Sequence, residues 1–251
     1  MGFIVLPALI PDIRAVYDAY FAAFTVDPDG RRLLDILFPD GFTSDEFRAA
    51  HTEATLNWWH TSRTQHTFKC VNASDGAVVG MALCDVFSNP QTEEERKNPG
   101  VGWLEGDRRA RAERVIAPLW EARDRALGGK SYIYVHAFAV DPKHQGRGAG
   151  AALVQALVDL GNASQLPIYL ESSPGTEGLY YKMGFRRLPG EMGRIIHSAE
   201  ALGTEKDVEV PLMMKIADPG QEKRGEGATA GNRRKSGWLQ TMWSSWVAEK
   251  A

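Results

Sequence analysis

Val140-Asp141-Pro142-Lys143-His144-Gln145-Gly146-Arg147-Gly148-Ala149-Gly150 is the stretch on which the reading of this chain turns. The residues before it, Tyr132 to Val140, are aromatic and β-branched, which suits a strand. The residues after it place Leu153, Val154, Leu157 and Val158 on one helical face, up to the pair Gly161-Asn162. A strand therefore enters the stretch and a helix leaves it. Gly146, Gly148 and Gly150 alternate, so the backbone can approach a ligand closely and aim several N–H groups at one spot. The helix N-terminus adds partial positive charge, and the combination favours a phosphate or pyrophosphate. Lys143 and Arg147 can add to that charge, although Arg147 can equally stand in solvent and act through its backbone N–H.

Three phosphate-binding patterns compete here. A P-loop needs G-x-x-x-x-G-K-[ST], and no such string occurs. A dinucleotide fingerprint is satisfied by Gly146, Gly148 and Ala151, with Glu171 placed for a ribose contact. That fingerprint demands a tight turn, however, and Asp141 to Gln145 separate the strand from the first glycine, with too few strands following to complete a six-stranded fold. The third pattern is Q-x-x-G-x-G, carried by Gln145, Gly148 and Gly150. It resembles the acetyl-CoA signature of the GNAT superfamily of N-acetyltransferases. Phe138-Ala139-Val140-Asp141-Pro142 looks like that family's strand-to-loop approach, and Leu179-Tyr180-Tyr181-Lys182-Met183-Gly184-Phe185 looks like its second signature. Ile168-Tyr169-Leu170-Glu171-Ser172 between them resembles the antibiotic-amine-modifying branch that includes puromycin acetyltransferase. The similarity covers residues 131 to 188 and rests on two signatures in order and at matching spacing.

The resemblance implies an α/β (α+β) acyltransferase fold, with a mixed central sheet that splays open after the Tyr132–Val140 strand and helices flanking it. Acetyl-CoA is the implied cosubstrate. Its pantetheine arm is expected along Phe138, Ala139 and Val140, and its pyrophosphate on the amides of Gln145, Gly146, Arg147, Gly148, Ala149 and Gly150. Direct transfer to an amine needs a proton acceptor for the amine, a donor for the carbonyl oxygen and help for the departing thiolate. Tyr180 matches the family tyrosine that serves the thiolate, against the alternative of core packing beside Tyr181. Glu171, ending a strand in the cleft, is the candidate base, against substrate orientation or a salt bridge. A backbone N–H near Val140 can polarise the carbonyl. His136 is expected on the strand face that carries Tyr134 and Phe138, as a packed core histidine more than a base. The expected acceptor is a primary amine of a small molecule. A protein, histone-lysine or N-terminal acetyltransferase and a non-catalytic CoA sensor are the rival readings.

Working outward, Phe3 to Ala8 reads as a strand and Pro11-Asp12 opens a helix carrying Ile13, Val16, Tyr17, Tyr20 and Phe24. A second helix is expected over Arg31 to Leu37, and a third after a capping box of Thr43 and Glu46, towards Arg63. A hairpin of Thr67–Asn72 and Val78–Val86 turns at Ser74-Asp75-Gly76. Residues 88 to 128 form an insertion: a polar loop, then a charged helix from Asp107 to Leu127 whose arginines are expected in solvent. Val208 to Ile216 supplies a last strand, which closes an expected domain of residues 1 to 217. Residues 218 to 251 read as a linker and a Trp-rich helix, docked on the domain or used for a homodimer or partner contact.

The 251 residues carry a net charge of -3, with no basic footprint for nucleic acid. Cys70 and Cys84 lie in apolar stretches, as buried reduced thiols, and no Cys/His cluster suggests zinc. No run approaches the ~18 apolar residues of a membrane span. Met1 to Leu9 lacks the basic flank of a signal peptide, and Leu6 breaks a myristoylation pattern, so a soluble cytoplasmic protein is expected.

Overall fold

The structure, a computed structural model, describes residues 2–218. The expected linker and Trp-rich helix lie outside the described residues. Strands run over Phe3–Pro7 (β1), Gln65–Asn72 (β2), Val78–Phe87 (β3), Tyr132–Val140 (β4), Ile168–Glu171 (β5), Arg186–Arg187 (β6), Arg194–His197 (β7) and Val208–Lys215 (β8). Helices run over Ile13–Val26 (α1), Pro28–Leu37 (α2), Asp45–Thr61 (α3), Gly106–Leu127 (α4), Ala149–Ser164 (α5), Glu177–Lys182 (α6) and Ala199–Leu202 (α7). The sheet order is β1-β2-β3-β4-β5-β8-β6, with β7 also paired to β8. Every pairing is antiparallel except β4 with β5. Parallel strands need a crossover connection, and α5 provides it between these two.

The parallel pairing ends early. It joins Ile133 to Ile168, Tyr134 to Tyr169 and Val135 to Leu170, and then stops. On its other side β4 stays paired to β3 as far as Val140. The edge of residues 136–140 that faces β5 is therefore open to a ligand, which is the splay expected from sequence. The register between β3 and β4 shifts at the same place. Leu83 faces Ala137 and Cys84 faces Val135, so His136 is the extra residue of a β-bulge.

The bulge decides which side chains share a face. Ile133, Val135, Phe138 and Val140 pack with Leu153, Val154 and Leu157 of α5, and Ala137 and Ala139 pack with Ile13, Val16 and Phe21 of α1. Tyr134 and His136 lie together, with ring centroids 4.1 Å apart. The expectation that Phe138 shares their face is therefore wrong: one extra residue sends it to the opposite side.

Other boundaries move for local reasons. α2 starts three residues earlier than expected because the Asp27 carboxylate accepts from Gly30 N at 2.8 Å and Pro28 fits the first turn. α3 is capped by Ser44, which accepts from Phe47 N at 3.1 Å, rather than by Thr43. α5 runs through Gly161-Asn162 and ends at Gln165, in the left-handed region at φ 55°. Gly161 is thus a contact residue rather than a stop signal, since a Cβ there would meet Ile168 Cδ1 at 2.8 Å. The close packing of β5 against α5 depends on that missing side chain. Both cysteines are buried and free, and burial pushes the Cys84 thiol up to about 12.

Candidate active site

Two ends of a site can be built from these elements. At the first, β4 runs into a short helical turn and then α5. Asp141 accepts from Lys143 N at 2.8 Å, which tightens the turn, and Gln145 Nε2 donates to the Val140 carbonyl at 2.9 Å, which pins the loop back onto the strand. Gly146 and Gly148 have φ of 70° and 99°, a region that strains any L side chain. Gly148 is the residue before α5 and supplies no side-chain cap. The first amides of α5 are thereby left for an external acceptor, as an anion requires. A Cβ on Gly146 or Gly148 would meet no atom within 4 Å, so the space beside these amides is open.

Between this loop and β5 lies the free edge of β4. Phe138 reaches from it to Tyr180 of α6, with ring centroids 5.9 Å apart, and Tyr180 packs in turn on Phe185 at 5.5 Å. Tyr180 is 4% exposed, and burial raises its phenol well above the ordinary value, so it remains a neutral donor at any working pH. Its packing partners are Phe138 and Phe185. Tyr181, the expected neighbour in the core, is exposed.

The second end lies on the opposite face of the sheet, under α4. Glu171 closes β5 there, beside Tyr134, Tyr169 and Arg123. Burial raises its carboxyl to about 7, against the pull of the Arg123 charge and of the Tyr134 and Tyr169 hydroxyls. Those hydroxyls stand near enough to favour the carboxylate. Even so, Glu171 Oε1 and the Tyr169 oxygen are buried without a well-formed hydrogen bond among the described residues. Arg123 is 6% exposed, its guanidinium 4.0 Å from the ring centre of Trp120 and 3.9 Å from that of Tyr134. His136 meets Asp85 through Nε2, and Thr64 Oγ1 donates to the other oxygen of Asp85 at 2.7 Å. Burial alone would raise Asp85, but the His136 ring, the Thr64 hydroxyl and Arg123 together hold it below the usual carboxylate range. Asp85, Tyr132, Tyr134, His136, Trp120 and Arg123 line a cavity of about 90 Å³.

A helix start with unsatisfied amides, an open strand edge and a buried carboxyl across a splayed sheet are thus on one sheet, and comparison with known proteins names the family. The profile of the Acetyltransferase (GNAT) family matches residues 28–185.

The chain belongs to the GNAT acetyltransferase family.

It is similar to the probable acyltransferase SID5 of Ajellomyces capsulatus, at 30% identity over 147 residues, which are 59% of this chain and 100% of that one. Among solved structures, arylalkylamine N-acetyltransferase 7 of the yellow fever mosquito shares the fold with TM-score 0.61 at 13% identity, covering 86% of this chain and 88% of that one. A histone acetyltransferase HPA2-related protein of Corynebacterium glutamicum does so with TM-score 0.53 at 19% identity, covering 88% and 99%. The likeness of fold thus reaches well beyond residues 131–188. This GNAT enzyme transfers acetyl from acetyl-CoA, and its α5 amides and open β4 edge fit that cosubstrate. No helix among the described residues is long and apolar enough to cross a membrane.

The sequence-derived residues fall into three groups. Gly146, Arg147, Gly148, Ala149 and Gly150 lie at the start of α5, with Gln145 as the side chain that pins the loop. Phe138, Ala139 and Val140 form the open edge, although Ala139 turns its side chain into the α1 core. Tyr180 and Glu171 lie on opposite faces of the sheet, across the β4–β5 opening. His136 is not a packed core histidine: its side chain is 28% exposed and is held by Asp85. Asp85 and Arg123 were missed. Asp85 sits in an apolar strand, where a lone acid needs a partner, and that signal was available. Arg123 was hidden in the charged pattern of α4.

The environment of Glu171 has a consequence for stability. Its folded-state value of about 7 lies above the ordinary 4.5, so the folded chain holds that proton more tightly than the unfolded chain. The contribution is complete below the ordinary value and is lost as pH rises through about 7. Glu171→Gln, neutral at every pH, escapes the loss. Its melting temperature should gain on wild type between about pH 5 and about pH 8, by the equivalent of on the order of 2–3 kcal/mol. Parallel melting curves across that range would show an ordinary carboxyl.

Proposed function

We propose that this acetyltransferase acts on a primary amine of a small molecule, by direct attack within a ternary complex. The observation that carries the proposal is the Glu171 carboxyl, raised to about 7 on the face of the sheet away from α5, with one oxygen unpartnered. A base with that proton affinity can take a proton at neutral pH and give it up again. A 90 Å³ cavity beside Tyr134 and His136, lined in part by Trp120 and Arg123 of α4, adjoins the Glu171 environment on that face. The likeness of Ile168-Tyr169-Leu170-Glu171-Ser172 to the puromycin acetyltransferase branch is consistent with this.

Acetyl-CoA supplies the thioester acyl group. The chain's own residues do the rest. Amides at the start of α5 hold the pyrophosphate, with Gly146 and Gly148 giving the backbone its shape. The free edge of β4 lines up the pantetheine arm, and an N–H near Val140 polarises the carbonyl. Glu171 accepts the proton of the attacking amine. Tyr180 keeps its proton and donates a hydrogen bond from its phenolic O–H to the leaving sulfur, so that CoA departs as the thiolate while Glu171 holds the amine proton. The catalytic domain ends near residue 217, and the setting is the cytoplasm, where buried thiols stay reduced.

The test is acetyl-CoA turnover, read as free thiol, against 2-phenylethylamine, putrescine, puromycin and a lysine-containing peptide. Turnover of the peptide alone would replace this reading with a protein acetyltransferase. With a good small amine, Glu171→Gln should lower kcat/KM by about 10- to 10²-fold near neutral pH. Raising the pH should restore part of it, because more of the amine arrives deprotonated. An unchanged pH–rate profile would leave Glu171 an orienting residue and pass the base role to His136 or to water.

A further inference from the structure

α4 belongs to the insertion at 88–128, and most of its charge faces solvent. Arg108, Arg109 and Arg111 are exposed, as the pattern of the helix predicts. Arg123 departs from that pattern. It points into the sheet, with its guanidinium carbon within 4.0 Å of the centres of two rings, one on its own helix and one on β4. Contacts this short exceed what a surface arginine needs for solubility, since it gives up most of its hydration to make them. Tyr134 is the point of contact with the site. It lies in register with Tyr169 of β5, stands close enough to the Glu171 carboxyl to influence it, and has its ring 4.1 Å from that of His136.

We propose that Arg123 is a positioning residue of this acetyltransferase, which clamps the Tyr134 ring and holds the Glu171 carboxyl on the acceptor face of the cleft. This rests on the reading of Glu171 as the base. Among the described residues, the groups that face Glu171 are few. From β4 come Tyr134 and Tyr132, from β5 Tyr169, and from α4 Arg123; the partner across β8 is Leu212, which carries no charge. Arg123 is the one cation in that set, and its charge also bears on Asp85, which holds His136. Both carboxylates of the acceptor face thus share one buried guanidinium. Removing it leaves Glu171 with neutral phenols alone, and its proton becomes harder to release. A bare structural role for α4 would leave that proton affinity unmoved.

The experiment is an infrared titration of the full-length protein. The carboxylic C=O band that disappears in Glu171→Gln belongs to Glu171, and its intensity against pH reads that group directly, with no acceptor needed. In Arg123→Met and Arg123→Gln the midpoint should rise by about 1–2 pH units. In Arg123→Lys, which keeps the charge, it should stay close to wild type. The low-pH limb of kcat/KM with 2-phenylethylamine, or with whichever amine of the panel above turns over best, should move with the midpoint. An unmoved infrared midpoint in a folded Arg123→Met protein would overturn the proposal. If neither neutral variant folds, the double variants with Glu171→Gln decide. Recovery of folding supports the pairing, because the carboxylate left without its cation is gone. Equal failure overturns it. The two readings separate cleanly: an infrared shift without a shift of the rate limb would retire Glu171 as the base and keep the hold of Arg123 on it.

Discussion

Gly148→Asp is expected to abolish acetyl-CoA binding while leaving a folded protein. Gly148 precedes α5 at φ 99°, where an L residue costs about 1–3 kcal/mol of backbone strain. No neighbour obstructs a Cβ, so the fold can carry the new side chain at that cost. The carboxylate then lies beside the amides that must receive a doubly charged pyrophosphate. Like charge and the occupied space both oppose the ligand. Acetyl-CoA binds only the folded wild type, so it should raise the melting temperature, and by more as its concentration rises. In Gly148→Asp the shift should vanish. Gly148→Ala shares the strain without the charge and should keep a reduced shift, which divides the two causes. Unchanged acetyl-CoA affinity in a folded Gly148→Asp protein would move the cosubstrate away from the α5 end altogether. A shift with NADH in place of acetyl-CoA would revive the dinucleotide pattern of Gly146, Gly148 and Ala151.

What could be read from sequence was what local chemistry dictates. β4 stands at its expected bounds and its glycine loop leads into α5 as expected, because strand composition, positive-φ glycines and helical spacing act over a few neighbours. The parts that escaped depend on contacts between distant segments. Gly161 looks like a helix stop until β5 is seen pressing on it. The face of Phe138 follows from alternation only if no residue is added, and the bulge at His136 is fixed by pairing with β3. The strands β6 and β7, two and four residues long, hold their shape because β8 pairs with them, and their own sequences carry little strand signal. For the site, the glycine loop and the Tyr180 motif were legible as strings. The environment of Glu171 was not, because it is made by three aromatic rings and an arginine from separate elements. Sequence gave Arg123 the same weight as its exposed neighbours on α4. Only the packing of that helix against Tyr134 distinguishes it.

Tyr180→Phe is the second large effect, and its size depends on where the hydroxyl does its work. The ring is fixed by Phe138 and Phe185, and both contacts survive the loss of one oxygen. Folding and acetyl-CoA affinity should therefore stay close to wild type. The phenol is buried and its pKa is raised, so it keeps its proton and can act only as a hydrogen-bond donor. A donor to the departing sulfur is needed as negative charge gathers there, and hardly at all before. Its loss should then fall on kcat, by roughly 10- to 10³-fold, with KM little changed. The pH dependence should stay that of wild type, because Glu171 remains in place, and this separates the variant from Glu171→Gln. Steady-state kinetics across pH, with acetyl-CoA binding measured in parallel, provide the check. A loss confined to KM would make Tyr180 a part of the binding surface. Full kcat would mean that the thiolate leaves unaided and that Tyr180 serves the core between Phe138 and Phe185.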